Sequence, residues 1–326
     1  MENRCVKRSG KVDFVEVADN IFAALTQYYG LSWANAGFIN KGKGLVIDTF
    51  ADLSQAQELK DFVTKIHGKN PGYVVNTHPD MDHLNGNQLF IDSDIIAHQN
   101  FFNEYDANRF KYWQMVQKTG KQSGKPGLMF LAENIEGLDF TGITPVSPNI
   151  TFDKNMVIQL DDMRVELKYI GPAHTKSDVL VWLPKDKVLF AGDVLFEGVV
   201  GWSEEGVKGW VGALEYIYKE LKPNVVVLGH GRICDAKFVA DMRDYFQNII
   251  DTVDKYYDED ITALELAKKV DIRDYLHWFQ PERLFVTVST IVKERRGQTG
   301  IKDWEYLAPN MAELKDYYDK LYGKRS

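Results

Sequence analysis

Residues 72–87 read GYVVNTHPDMDHLNGN. The apolar run at Tyr73–Val75 has the length and β-branched content of a buried strand, and the residues after it make a loop rather than a continuation of the strand. That loop places His78, Asp80, Asp82 and His83 within six residues. Three other stretches repeat the arrangement of an apolar strand ending in a loop that carries one chemically capable side chain. They are YIGPAHTKSD with His174, LFAGDVLF with Asp193, and VVVLGHG with His230. In open α/β layers functional groups collect at strand ends. Alone, Asp82 or Asp193 reads as a cap or turn residue and His230 as a structural loop histidine. Together the seven side chains form an imidazole and carboxylate set suited to zinc, iron or manganese.

On either side of this loop, strands are expected at 12–17, 20–25, 36–40 and 44–50. A helix comes next, started by a Ser54–Gln57 capping box and carrying Leu59, Phe62, Val63 and Ile66 on one face. Strands at 72–76 and 94–98 complete a βαβ pattern. Residues 101–148 interrupt it with an aromatic-rich, partly helical insertion that would sit as a cap, and Trp113 is its candidate substrate contact. A second β-rich block spans 156–160, 164–170, 178–184 and 187–193, with a helix at 207–221 and a last strand at 224–231. From Ala236 the pattern is helical, with a stripe of Phe238, Val239, Met242, Tyr245, Phe246, Ile249 and Val253. Pro281 opens a further helix that Gly297 ends, and Asn310 and Glu313 cap the last one. The expectation is therefore an α/β catalytic domain over 1–235, and a helical extension over 236–326 packed on it.

Composition narrows the possible partners. A formal charge of −8 across 326 residues disfavours nucleic acid, whose phosphates need clustered Lys and Arg. No run reaches the ~18 apolar residues of a membrane span, and the polar start of the chain lacks a signal-peptide core. Two cysteines, Cys5 and Cys234, make no disulfide framework. A cytoplasmic protein with a small-molecule substrate, possible homo-oligomerisation and no membrane or nucleic-acid partner is the expectation.

The order and context of the seven residues resemble the metallo-β-lactamase-fold superfamily, whose signature is His-x-His-x-Asp-His followed by a lone His, a lone Asp or Cys and a final His, each after a strand. The resemblance covers about 12–235. It implies an αββα sandwich with two divalent metal ions, zinc first, at one edge of the paired sheets. By position, His78, Asp80 and His174 would surround the first metal, Asp82, His83 and His230 the second, and Asp193 would bridge them. GLVIDTF matches the family too, making Asp48 its supporting carboxylate, and Ser177 and Asp178 would support His174 through hydrogen bonds. The activity implied is hydrolysis of a small lactone, ester, thioester or amide by a metal-bound hydroxide, with Asp82 orienting it and taking a proton.

The chain departs from the family at Asp80, where a histidine is usual. Two divalent ions outweigh Asp82, Asp193 and a bridging hydroxide by one charge, and an ionised Asp80 brings the site to neutrality. A harder anionic ligand shifts preference toward iron or manganese. With no obvious Lys or Arg anchor, the substrate is expected to be neutral or weakly charged. Two alternatives remain: a two-iron oxidoreductase, suggested by the carboxylate at position 80, and a non-catalytic binding protein with a degraded site.

Overall fold

The computed structural model describes residues 4–27, 33–197, 206–278, 280–298 and 303–323; the first three residues of the polar start of the chain lie outside these. Two sheets pack face to face. The first has eight strands in chain order: β1 (Arg4–Ser9), β2 (Val12–Ala18), β3 (Ile21–Thr26), β4 (Ala36–Ile39), β5 (Leu45–Ile47), β6 (Tyr73–Val75), β7 (Asp94–His98) and β8 (Ile150–Phe152). It is antiparallel through β5, and parallel from β5 to β8. The second holds β9 (Asn155–Leu160), β10 (Met163–Tyr169), β11 (Val179–Leu183), β12 (Val188–Phe190) and β13 (Val225–Val227), with β12 and β13 parallel.

Strand alternation decides which layer each side chain serves. Leu45, Ile47 and Val75 meet Val165, Val181, Val188 and Phe190 between the sheets. Val46 and Val74 face the other way, onto Leu59, Phe62 and Val63 of α1 (Leu53–His67). On the far side, Leu180, Trp182, Leu189 and Val226 share one core with α5 (Val207–Tyr216), α6 (Ala236–Tyr256) and α8 (Leu284–Arg295). This is the αββα sandwich. The same core takes in the insertion helices α3 (Arg109–Thr119) and α4 (Pro126–Asn134) and the last helix, α9 (Trp304–Tyr322). The short helices α2 (Met81–Leu84) and α7 (Ala263–Ala267) complete the set. Among the described residues no helix is long and apolar enough to cross a membrane.

Two helix starts differ from expectation. α1 is capped by Asp52, whose carboxylate accepts from the Gln55 N–H at 2.9 Å, and Gln57 bonds Asp61 instead of closing a box. α9 begins at Trp304, capped by Asp303, so Asn310 lies inside the helix and donates to Tyr306 O. Pro309 sits within the helix near its beginning. Gly127 of α4 abuts it so closely that a Cβ there would lie 2.9 Å from Pro309 Cδ. α4 itself was unforeseen, because the Gly- and Pro-rich TGKQSGKPG reads as a loop although Pro126 starts a helix well.

Candidate metal centre

All seven predicted ligands converge at one edge of the paired sheets. His78 comes after β6, His174 after β10 and His230 after β13, and Asp193 sits in the turn after β12. Their ligand atoms form three compact groups: His78–Asp80–His174, Asp82–His83–His230, and His78–His83–Asp193. Asp193 joins the other two. Its Oδ1 is 3.0 Å from His83 Nε2, and its Oδ2 lies 3.3 Å from His230 Nε2, 3.5 Å from His174 Nε2 and 3.7 Å from His78 Nε2. Asp82 Oδ2 is 3.4 Å from His230 Nε2 and 3.8 Å from His83 Nε2. Asp80 Oδ2 is 3.1 Å from His174 Nε2 and 3.7 Å from His78 Nε2.

Supporting bonds fix how three of the imidazoles present themselves. Asp48 Oδ1 accepts from Thr77 N–H, and its Oδ2 accepts from the Thr77 hydroxyl and from His83 Nδ1–H, at 2.8, 2.8 and 2.9 Å. Having spent its proton on Asp48, the Thr77 hydroxyl accepts from His78 Nδ1–H at 3.0 Å. His230 Nδ1–H donates to Trp33 O at 3.0 Å. Each ring therefore turns Nε2 toward the centre, the nitrogen a metal would take once it carries no proton. Asp48 holds an uncommon left-handed backbone (φ 57°), as functional positions often do. Asp178 ties the His174 loop by accepting from Ala173 N–H, Thr175 N–H and the Thr175 hydroxyl, and burial pushes its carboxyl up to about 7. Ser177 donates its N–H to Thr175 Oγ1, while its own buried hydroxyl has no partner among the described residues.

The donor set fits metal. His78 Nε2 is buried without a hydrogen-bond partner, and His83 Nε2 and Asp193 Oδ1, though 3.0 Å apart, are buried without a well-directed hydrogen bond, an expensive condition for polar atoms. Burial, reinforced by His83, holds His78 well below the ordinary histidine range, so its ring is neutral. Burial also opposes charge on His83, yet Asp193, Asp48 and Asp82 raise it well above that range. Asp193, which burial alone would raise, is driven well down by His230, His83 and His78. Protons thus occupy part of the place of cations, and metal uptake would release them. Tight backbone approach completes the cage: a Cβ at Gly229 would lie 1.9 Å from Asp193 Oδ1.

The structure adds two arginines that sequence reading passed over. Arg109, the first residue of α3, places Nη1 3.0 Å from Asp80 Oδ1. Arg283, just before α8, is 3% exposed and stacks its guanidinium over Phe196, 5.4 Å from the ring centroid. Phe196 in turn stacks on His230 at 5.2 Å. Burial brings Arg283 down to about 10, against the opposing pull of Asp193 and Asp82. Neither contact leaves a sequence signal, because each bridges distant segments. Arg232, which sequence places near the ligand loops, is exposed and paired to Glu197. Trp113 is buried edge-on against Trp304 and Tyr112, in the core that joins the insertion to α9. His98 stacks on Tyr169 away from the cage, and burial pushes the Cys234 thiol up to about 12, leaving it no role as a nucleophile.

A model of the metallo-beta-lactamase superfamily matches residues 32–230. A metallo-beta-lactamase type 2 of Bacteroides fragilis is 20% identical over 266 residues, covering 78% of this chain and 93% of that protein. Among solved structures, a sec-alkylsulfatase from Pseudomonas sp. superposes with a TM-score of 0.62 at 18% identity and covers 95% of this chain, which spans 54% of that one. A metallo-beta-lactamase from Pontibacter korlensis superposes at 0.55, with 16% identity over 73% of this chain and 99% of its own.

Proposed function

The chain belongs to the metallo-beta-lactamase superfamily, and from that premise we propose that it is a metal-dependent hydrolase of small esters, lactones, thioesters or amides that carry an anionic group. The observation that carries this reading is the meeting of three buried donor atoms, none with a well-directed hydrogen bond, inside a seven-ligand cage. Two divalent ions, zinc first among them, would supply an activated water and a Lewis acid. His78, Asp80 and His174 would hold one ion, Asp82, His83 and His230 the other, with Asp193 between. Asp82 is suited to orient the water and take its proton: burial raises its carboxyl above the ordinary aspartate range, with His83 and His230 opposing. The imidazoles stay in register through Asp48, Thr77 and Trp33.

The charge balance supports an anionic substrate over a neutral one. Asp48, Asp82, Asp193 and an activated hydroxide together balance two divalent ions, the Asp80–Arg109 pair is neutral, and Arg283 is left as one net positive charge. A guanidinium suits a carboxylate or sulfate through its planar fork. Arg283 lies over Phe196, which in turn stacks on His230, and from there it would bind such a group and so orient the scissile bond. A second reading comes from the same arginine: the anionic group is itself the one cleaved, as in a sulfate ester.

The test is a paired panel: an aryl acetate, its analogue with a terminal carboxylate, an uncharged lactone, a thioester and a secondary alkyl sulfate. Each is assayed with and without dipicolinate, then after adding back zinc, manganese or iron(II). Chelator-sensitive turnover that favours the charged member, with KM raised in Arg283→Gln, is the expected result. Cleavage of the alkyl sulfate above all others selects the second reading. Absence of chelator-sensitive turnover across the panel overturns both.

A further inference from the structure

Asp80 stands where the family's pattern has a neutral imidazole, and its two oxygens face different partners. Oδ2 points to His174 and His78, at 3.1 and 3.7 Å, while Oδ1 accepts from Arg109 Nη1 at 3.0 Å. Although Asp80 occupies the cap position of α2, its carboxylate makes no capping bond. Arg109 Nη2 also donates to Glu104 O at 3.4 Å. Glu104 Oε2 accepts from Lys176 N–H at 2.7 Å, two residues past His174, and Asn100 Nδ2 donates to Lys176 O at 3.2 Å. The segment from Asn100 to Arg109, at the base of the insertion, therefore holds both the Asp80 and the His174 loops. Ligands of the other metal position take their supporting bonds from elsewhere, His83 from Asp48 and His230 from Trp33.

We propose that Asp80 and Arg109 act as one neutral unit in place of a histidine, with Asp80 Oδ2 the donor to the first metal and Arg109 a positioning residue that holds the carboxylate and cancels its charge. This rests on the metal-centre reading above. There are two consequences. The cage keeps the charge of the histidine-bearing version, so a carboxylate at this position does not by itself turn the site toward iron or manganese. Occupancy of the first metal position and docking of the insertion are also linked, and such coupling is reciprocal: contacts that hold Asp80 favour metal, and metal favours the docked insertion.

The experiment is a double-mutant cycle on zinc affinity, read by competition with a fluorescent chelator, across wild type, Arg109→Met, Arg109→Lys, Asp80→His and Asp80→His/Arg109→Met. Removing a supporting partner of a metal ligand weakens affinity about 10–100-fold. Arg109→Met should show that loss at one of the two metal positions and leave the other intact, which also certifies the fold. Arg109→Lys should recover part of it. In the Asp80→His background the sign reverses: Arg109 becomes an unbalanced cation, and its removal should tighten zinc. Hydrogen exchange over residues 104–119 should slow on zinc addition in wild type and not in Arg109→Met. Unchanged affinity at both positions in Arg109→Met, or an equal loss in both backgrounds, overturns the coupling while leaving the metal centre standing. Failure of wild type itself to bind zinc, manganese or iron(II) overturns the metal reading, and the coupling with it.

Discussion

Asp48→Asn is the change that most sharply separates a supported metal cage from an accidental cluster. Asparagine tolerates the left-handed backbone at this position (φ 57°), so the substitution leaves the backbone in place and changes hydrogen bonding together with one unit of charge. Asp48 now accepts three bonds, from Thr77 N–H, the Thr77 hydroxyl and His83 Nδ1–H. If the new amide oxygen keeps Thr77 N–H, the amide NH₂ faces Thr77 Oγ1 and His83 Nδ1. His83 must then carry its proton on Nε2, and the freed Thr77 proton turns to His78 Nδ1, with the same result for His78. Both rings would present N–H to the metals. Flipping the amide instead opposes its NH₂ to the Thr77 N–H, and an unmade buried bond costs about 1–3 kcal/mol. Because one of these two histidines serves each metal, both positions should weaken about 100-fold, or about 2.7 kcal/mol each. This differs from the one-position loss expected for Arg109→Met. Chelator competition measures it, and affinities within about twofold of wild type would refute the tautomer argument.

Three further outcomes are expected from the packing and the buried charges. Gly229→Ala should strip metal from the folded protein after dialysis, since its Cβ would meet Asp193 Oδ1, whereas Gly212→Ala, with open space around it, should keep full metal content. Trp113→Ala should lower stability by about 3–5 kcal/mol in denaturant titrations; a raised KM without that loss would put the ring in the substrate pocket instead. Glu282 is buried, and desolvation, only partly offset by its own backbone N–H, Lys315 and Arg283, pushes its carboxyl up to about 7. A carboxyl raised on folding binds its proton more tightly in the native state, so the stability it confers at low pH is lost as pH climbs from the unfolded value toward 7. Glu282→Gln should remove a decline on the order of 3 kcal/mol between about pH 4.5 and 7, seen as a difference between the two proteins' unfolding midpoints at each pH.

The parts legible in the sequence were those written locally. An apolar run ending in His or Asp is a statement about one strand and its loop, and four of them picked out the seven candidate ligands, while their grouping came from the resemblance to the family. Asp48 was reached through the family match of GLVIDTF alone. The helix starts at Asp52 and Trp304 were misplaced because competing signals stood nearby: a Ser54–Gln57 box that side-chain geometry does not use, and an Asn310–Glu313 box that lies inside α9. Arg109 and Arg283 were invisible for a different reason. One reaches Asp80 across 29 residues and the other reaches Phe196 from the C-terminal helices, and nothing in the immediate neighbourhood of either marks the contact. The expectation of a neutral site and neutral substrate was drawn without those two side chains.

Elemental analysis of protein purified without added metal puts the seven-ligand cage to its plainest test, run alongside His174→Ala and His230→Ala. Wild type should carry close to two divalent ions per chain, with each variant losing one position first: His174→Ala the position shared with His78 and Asp80, and His230→Ala the position shared with Asp82 and His83. Folded wild-type protein that carries no metal and takes up neither zinc, iron(II) nor manganese on dialysis would contradict the assignment of a metal centre.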